Sequence, residues 1–117
     1  MKSRENYKTS NIVWALCNYF LSKSSSETHI TVTPGPSCYY VGATGRIALT
    51  QTELEEIISL LNRPKTPEME YYYDDLVVSG MRDNEFALVG AMVDEARVTY
   101  AEGLLKIELS RYLPKSN

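Results

Sequence analysis

The run VTYAEGLLKIELSRYLP, residues 98–114, constrains the fold more than any other part of the sequence. Val98 and Tyr100 alternate with polar residues before a turn-forming segment at residues 101–103, and aliphatic residues alternate again after it. Successive side chains of a strand point to opposite faces, so each arm has one apolar face. Gly103 supplies the positive φ that a tight turn needs. The run therefore predicts a β-hairpin that lies on a hydrophobic core.

Two segments predict helices. Residues 10–22 are apolar over most of a helical circumference, which is typical of a helix that is buried centrally or covered by a partner subunit. We expect the partner subunit, because a chain of 117 residues encloses only one modest core. Residues 52–62 predict an amphipathic helix that starts with a capping box of Thr52 and Glu55. Its apolar stripe is expected to pack on a sheet and consists of Leu54, Ile57, Ile58 and Leu61.

The remaining patterned segments predict strands. Residues 28–34 alternate polar and apolar side chains, and the prolines that follow end the strand. The sequence GATG at residues 42–45 predicts a second hairpin turn, because it lies between two β-prone runs. Further strands are predicted over Tyr71–Val78 and over EFALVGAM, residues 85–92.

Together these elements predict one α+β domain over residues 1–117. It consists of an antiparallel sheet of five or six strands, an apolar N-terminal helix and one amphipathic helix. Residues 1–9 are expected to form a flexible N-terminus. Residues 63–68 are expected to form an exposed loop, since two prolines fall within them.

The C-terminal quarter of the chain also resembles a known family. A Phe-x-Leu segment, a valine-containing connection, the pattern Gly-Leu-Leu-x-Ile-x-Leu-x-Arg and a proline follow one another here. This order is similar to the end of the α-crystallin domain in bacterial small heat-shock proteins of the inclusion-body-binding type. The matching residues are Phe86, Leu88, Val93, Gly103, Leu104, Leu105, Ile107, Leu109, Arg111 and Pro114.

The resemblance implies an ATP-independent holdase. Apolar surface around Trp14 and Phe20 would then cover unfolding clients, and the sheet would pair subunits into dimers. The helix predicted over residues 52–62 departs from that family, whose domain is an all-β sandwich.

Charge and cysteine content narrow the class of partner. A net charge of −3 with twelve dispersed Lys and Arg residues argues against a nucleic-acid binder, because phosphate contacts require a basic face. Cys17 and Cys38 are expected to be reduced and buried, which together with the polar N-terminus favours a cytoplasmic protein. The apolar run at residues 12–21 is too short to span a bilayer, so no membrane association is expected.

The sequence does not favour an enzyme. His29 is the only histidine, and it falls on the polar face of its predicted strand, so neither a catalytic triad nor a zinc site is expected. The acidic run EMEYYYDD, residues 68–75, lacks the glycine-bearing loop of a calcium site. No metal or other cofactor is expected, and an acidic, solvent-facing strand edge is the simplest interpretation of that run.

Tyrosine content is the main indication of function. The chain has nine Tyr and two Phe, and tyrosine suits binding surfaces because it combines a large contact area with a polar tip. We expect a small non-catalytic interaction protein, of the kind that bacteria and their phages use as adaptors, inhibitors or chaperones, which also forms homo-oligomers. A holdase and a small-molecule-binding protein are the alternatives. The residues expected to contact partners are Trp14, Tyr19, Phe20, Tyr71, Tyr73, Lys106 and Arg111, the last two because the C-terminal strand is expected to be an exposed sheet edge.

Overall fold

An antiparallel sheet with helices on one face forms the described part of the molecule. The computed structural model describes residues 2–23, 26–62 and 85–113. The sheet order is β1-β2-β4-β3, and every neighbouring pair is antiparallel. The α+β class is confirmed, but the described residues contain four strands rather than five or six. The elements are α1 (Lys2–Lys23), β1 (His29–Thr33), β2 (Cys38–Arg46), α2 (Gln51–Leu61), α3 (Glu85–Met92), β3 (Glu95–Ala101) and β4 (Leu104–Tyr112).

The two faces of the sheet differ in burial. Along β2 and β4, buried residues alternate with more exposed ones, so one face of the sheet is covered and the other is open to solvent within the described part of the chain. α1 packs against β2 and α3, while α2 packs against α3 and β3. The helices therefore form a layer on the inner face, and the hydrophobic core of the described residues lies between that layer and the sheet.

The N-terminal helix is longer and more buried than its sequence indicated. α1 begins at Lys2, so most of the segment expected to be flexible is helical. Ile12, Leu16 and Phe20 are completely buried in the chain's own core. The expectation that a partner subunit covers most of this helix is therefore wrong. Residues of α1 that are three, four or seven positions apart share one face of the helix, and most of that face packs against α3 and the sheet.

The amphipathic helix α2 is confirmed, with two corrections. Its capping box is formed by Thr50 and Glu53, because the Glu53 backbone N–H donates to Thr50 Oγ1 over 3.1 Å and the Thr50 N–H donates to Glu53 Oε1 over 2.8 Å. The hydrogen bonds from the Thr50 backbone N–H and side chain to the Glu53 carboxylate lower the pKa of Glu53. Ile57 is buried, whereas Ile58 is 39% exposed, so Ile58 does not belong to the packed stripe.

The predicted hairpin turn at residues 42–45 is absent, because β2 runs without interruption from Cys38 to Arg46. Gly45 faces the core, where the ring of Phe20 lies so close that a Cβ atom at position 45 would be 2.7 Å from its Cδ1. The glycine is therefore explained by the aromatic ring packed on the strand and not by a turn.

The segment EFALVGAM is a helix, α3, and not the predicted strand. All its residues from Phe86 to Met92 are buried, since the helix lies between α1 and α2. Gly90 permits this packing, because a Cβ atom there would collide with the backbone carbonyl oxygen of Leu60. The strand predicted over Tyr71–Val78 and the loop predicted over residues 63–68 lie outside the described residues.

The C-terminal hairpin is confirmed. Glu102 and Gly103 form its two-residue turn with φ values of 54° and 79°, the positive values that a type I′ turn requires at both central positions. The turn is tied to the end of β2, since Arg46 Nη1 donates to the Glu102 carbonyl over 3.0 Å. However, β4 pairs with β2 on one side and with β3 on the other. The expectation that β4 is a sheet edge is therefore wrong.

Candidate binding site

The two edges of the described sheet are unequally protected against pairing with another strand. β3 presents Glu95 and Arg97 along its outer face, and such charges discourage edge-to-edge association. β1, with the sequence HITVT, contains no lysine, arginine, carboxylate or proline. Its only ionisable group, His29, is exposed and lies 3.0 Å from a carboxylate oxygen of Glu27. β1 is therefore the less protected edge.

The exposure of β1 supports this description. Four of its five residues are exposed, and only Ile30 is half-buried. Ile30 and Val32 face the helical layer, since they pair with the inward-facing Ala43 and Val41 of β2. Val32 nevertheless remains 43% exposed. An apolar, β-branched side chain on the inner face of an edge strand is thus left accessible.

A cleft of about 360 Å³ adjoins Val32, between α1 and the end of β1. Val13, Pro34 and the inward-facing Tyr39 supply apolar surface, and no lining side chain within the described part of the chain carries a charge. The remaining lining residues are Asn6, Thr9 and Ser10.

Two polar groups of α1 behave differently within this cleft. Asn6 Oδ1 accepts a hydrogen bond of 2.8 Å from the Tyr39 hydroxyl, which fixes the tyrosine against the helix. Thr9 is only 5% exposed, and its Oγ1 has no hydrogen-bond partner. A buried hydroxyl without a partner is costly, and a helical threonine ordinarily avoids that cost by bonding to a preceding carbonyl. Thr9 therefore offers a hydrogen bond that the described protein does not use.

The outer face of the sheet is polar and internally bonded. The Tyr40 hydroxyl donates to Glu108 Oε2 over 2.6 Å, which raises the pKa of Tyr40 and lowers the pKa of Glu108. Lys106 Nζ lies 4.0 Å from the same carboxylate oxygen. The three side chains of Tyr40, Lys106 and Glu108 therefore interact with one another on this face.

A second cleft, of about 490 Å³, lies where this outer face meets the start of β3 and includes Asp94 and Glu95. Asp94 Oδ2 accepts a 2.6 Å hydrogen bond from the Tyr112 N–H. The hydrogen bond between the Tyr112 hydroxyl and Glu95 raises the pKa of Tyr112. Among residues 2–23, 26–62 and 85–113, no group of His, Cys, Asp and Glu side chains is suited to hold a metal ion.

The predicted contact residues of α1 are divided between core and surface. Phe20 is completely buried, and Tyr19 packs edge-on against Phe20 and Phe86. Phe20 is therefore a core residue and not a contact residue. Trp14 is 39% exposed. It shares a stripe with two other exposed residues at intervals of seven, Tyr7 and Leu21.

The predicted contact residues of β4 also differ from each other. Lys106 is exposed on the outer face. Arg111 is only 8% exposed and donates a 2.5 Å hydrogen bond from Nη1 to the carbonyl of Met92, so its predicted exposure is wrong. Tyr71 and Tyr73 lie outside the described residues. Cys17 and Cys38 are free thiols, half-buried rather than fully buried.

The sequence analysis missed the residues around the cleft. Their signal is present in HITVT, where a strand followed by Pro34 lacks any charge that protects an edge. The identity of the edge strands, however, depends on strand order, which is not a local property.

No protein-family model matches this chain, and no curated protein matches its sequence. The class defined by the structure is therefore architectural: an α+β protein with its helices on one face of an antiparallel sheet. No helix in the described ranges combines the length and the apolar character needed to cross a membrane.

Proposed function

We propose that this protein is a small non-catalytic interaction protein, of the adaptor or inhibitor type, which binds an extended segment of a partner protein along β1. The observation that carries the proposal is the contrast between the two sheet edges. β3 is charged at Glu95 and Arg97, whereas β1 contains no lysine, arginine or carboxylate, is rich in β-branched residues and adjoins an apolar cleft.

The physical basis is strand addition. An edge strand has backbone N–H and C=O groups directed away from its one neighbour, and an extended peptide pairs with them. Backbone hydrogen bonds then supply affinity, while pockets for alternate side chains supply specificity. β1 has both features, since Val32 and the cleft lie beside the edge.

A matched pair of edge variants tests the proposal. Thr31→Lys and Thr99→Lys each place a lysine on an exposed, outward-facing position, the first on β1 and the second on β3. An edge lysine discourages strand pairing at little cost to stability. The protein and both variants are purified from the native host at low salt, and retained partners are identified by native mass spectrometry.

We expect a stoichiometric partner with the wild type and with Thr99→Lys, and loss of that partner with Thr31→Lys. Equal retention by all three proteins would contradict the proposal. Loss with both variants would also contradict it, because the effect would then not be specific to β1. Thermal unfolding of each variant confirms that the comparison is made between folded proteins.

Self-association through α1 is the second part of the proposal. Tyr7, Trp14 and Leu21 form an exposed stripe, and a repeat of seven is the spacing with which helices pair. The stripe spans about 21 Å at 1.5 Å per residue, so two such helices bury roughly 600–800 Å² in total. Stable dimers usually bury about 1,200–2,000 Å². We therefore propose a weak, reversible homodimer in which a second copy covers this stripe.

The holdase alternative rests on the resemblance of residues 86–114 to small heat-shock proteins. It predicts suppression of aggregation of a heated client at substoichiometric ratios without nucleotide, whereas an adaptor or inhibitor ignores generic clients. A small-molecule-binding protein differs from both, because its ligand raises its melting temperature.

A further inference from the structure

We infer that the cleft between α1 and β1 receives one uncharged aromatic side chain of the bound segment, with tyrosine preferred because its hydroxyl pairs with Thr9. This inference rests on the function proposed above and specifies the chemistry of the partner at the same site. It is carried by the cleft beside β1 together with the buried, unpartnered Oγ1 of Thr9.

The size of the cleft fits a ring. An engineered cavity of about 150 Å³ is sufficient to hold benzene. The cleft of about 360 Å³ therefore has room for an aromatic side chain and for part of the backbone that carries it. Val13, Val32 and Pro34 offer the apolar surface against which a ring packs.

The described lining selects against charged side chains. The lining residues among those that the structure describes are all uncharged: Asn6, Thr9, Ser10, Val13, Val32, Pro34 and Tyr39. A lysine or carboxylate entering the cleft would lose hydration without gaining an ionic partner from that lining, which is unfavourable. A side chain with an apolar ring and a neutral polar group at its end loses little hydration free energy, provided that the polar group forms a hydrogen bond.

Thr9 supplies that hydrogen bond at the inner end of the cleft. Asn6 and Ser10 are exposed at the rim, whereas Thr9 is almost completely buried. Thr9 Oγ1 is itself buried, and a rotation about χ1 changes the direction in which the hydroxyl points; helical threonines populate two such rotamers. A tyrosine hydroxyl reaching the floor of the cleft then pairs with Thr9 Oγ1, which removes its unsatisfied state.

Pairing geometry limits the cleft to one residue of the segment. A strand added beside β1 places the residue opposite Val32 on the inner face, and its two neighbours lie opposite Thr31 and Thr33 on the outer face. The three residues of the bound segment beside the end of β1 are therefore expected to be polar, aromatic and polar, in that order.

The area available favours a peptide over a second copy at this edge. β1 has five residues, and at about 3.3 Å per residue it is roughly 17 Å long. A strip of that length, one strand wide, together with the cleft buries roughly 400–500 Å² in total, well below the 1,200–2,000 Å² typical of a stable dimer. A short segment of a partner is the occupant that this area suits.

The test uses synthetic peptides and the full chain labelled with ¹⁵N. The probes are Ac-Lys-Thr-Thr-Xaa-Thr-Thr-Lys-NH₂ with Xaa as Tyr, Phe, Ser or Asp, titrated to millimolar concentration while amide shifts are recorded. We expect shifts around Val32 and Val13, tighter binding of the Tyr peptide than the Phe peptide by about threefold to tenfold, and no binding of the Asp peptide.

Thr9→Val is the decisive variant, because valine keeps the shape of threonine and removes only the unpartnered hydroxyl. It is expected to fold, and to reduce the ratio between the Tyr and Phe affinities to about one while the Phe affinity stays level. Thr99→Val is the matched control, because it makes the same change at an exposed position on β3, away from the cleft, and it leaves the ratio unchanged.

The possible failures are distinguishable. Peptide binding at β1 with equal Tyr and Phe affinities, or with a ratio that Thr9→Val does not change, would overturn the assignment of the cleft and leave strand addition standing. Shifts confined to the outer face around Tyr40, or a dimer formed through β1, would also overturn it. If no peptide shifts the β1 amides and Thr31→Lys retains its partner, the proposed function itself fails.

Discussion

The hydroxyl of Tyr100 donates a 2.8 Å hydrogen bond to the backbone carbonyl of Ile47. The hydroxyl oxygen of Tyr100 also accepts a 3.1 Å hydrogen bond from the N–H of Leu49. One side chain of the edge strand β3 thus satisfies two backbone groups of the segment that connects β2 to α2, and the ring packs against the core. Unpaired backbone groups in a partly buried connection are unfavourable.

Tyr100→Phe should therefore destabilise the protein. The ring remains packed, but a backbone donor and acceptor lose their shared partner, which costs about 1–3 kcal/mol. Urea unfolding measures the difference. Tyr40→Phe is the control, because its hydroxyl bonds to a side chain at an exposed position and its loss should cost much less. Equal losses of unfolding free energy in the two variants would show that the segment connecting β2 to α2 is hydrogen-bonded to solvent instead.

Ile57→Ala and Ile58→Ala should have clearly different effects. Ile57 is 4% exposed and Ile58 is 39% exposed on the same helix. The first substitution removes buried methyl groups and leaves a cavity, so the expected cost is about 2–4 kcal/mol. The second should cost less than about 1 kcal/mol. Similar midpoints in denaturant unfolding would mean that α2 packs in a different orientation.

Gly90→Ala should destabilise the protein although alanine has the higher helix propensity. In a solvent-exposed helix this change stabilises by about 0.5–1 kcal/mol. Here a Cβ atom meets the backbone of Leu60, so α2 and α3 must separate. Overpacking of this kind costs about 1–3 kcal/mol. A melting temperature at or above that of the wild type would contradict the close approach of these helices.

Arg111→Met should be costly and Lys106→Met nearly neutral. Arg111 donates to the carbonyl of Met92, the last residue of α3, which has no basic residue of its own in its final turn. A buried cation at a helix C-terminus satisfies orphan carbonyls and interacts favourably with the helix dipole. We expect a loss of about 2–3 kcal/mol for Arg111→Met. Comparable, small effects of the two changes would place Arg111 at the surface.

Trp14→Lys should weaken self-association without unfolding the protein. Because Trp14 lies in the exposed stripe, lysine there disrupts helix pairing and leaves the core intact. Sedimentation velocity over a range of concentrations measures the change. Oxidative crosslinking through Cys17, three residues from Trp14, provides a second measurement, with Cys38→Ser used to exclude the other thiol. A concentration-independent monomer in the wild type would contradict the homodimer.

Local patterns predicted part of this fold correctly. The hairpin of β3 and β4 and the helix α2 are specified by neighbours in sequence, through alternation, a turn glycine and a capping box. The continuous apolar run of α3 has no period that separates a buried helix from a buried strand. The local sequence around Gly45 predicts a turn. The contact that requires glycine there is with the ring of Phe20, which belongs to a distant element and leaves no local signal.

The candidate site was less predictable than the fold. Trp14 is exposed as a contact residue requires, but Phe20 and Arg111 are buried, and Thr9 gave no signal in the sequence. Whether a strand lies at an edge depends on the order β1-β2-β4-β3, which links segments far apart in the chain. Such non-local properties are not encoded in the periodicity of any one segment.

The central position of the β2–β4 pair also determines how the molecule can form. Tyr40 and Glu108, joined across this pair, are 68 residues apart. Each outer hairpin closes through near neighbours, but the two halves join only after the long intervening chain has been brought together, which is entropically expensive. Contacts of such high sequence separation slow folding. Until that step, β2 and β4 each expose a strand edge that can pair with another chain. The most aggregation-prone species on the folding pathway is therefore the one in which the β1–β2 and β3–β4 hairpins have formed but have not yet joined.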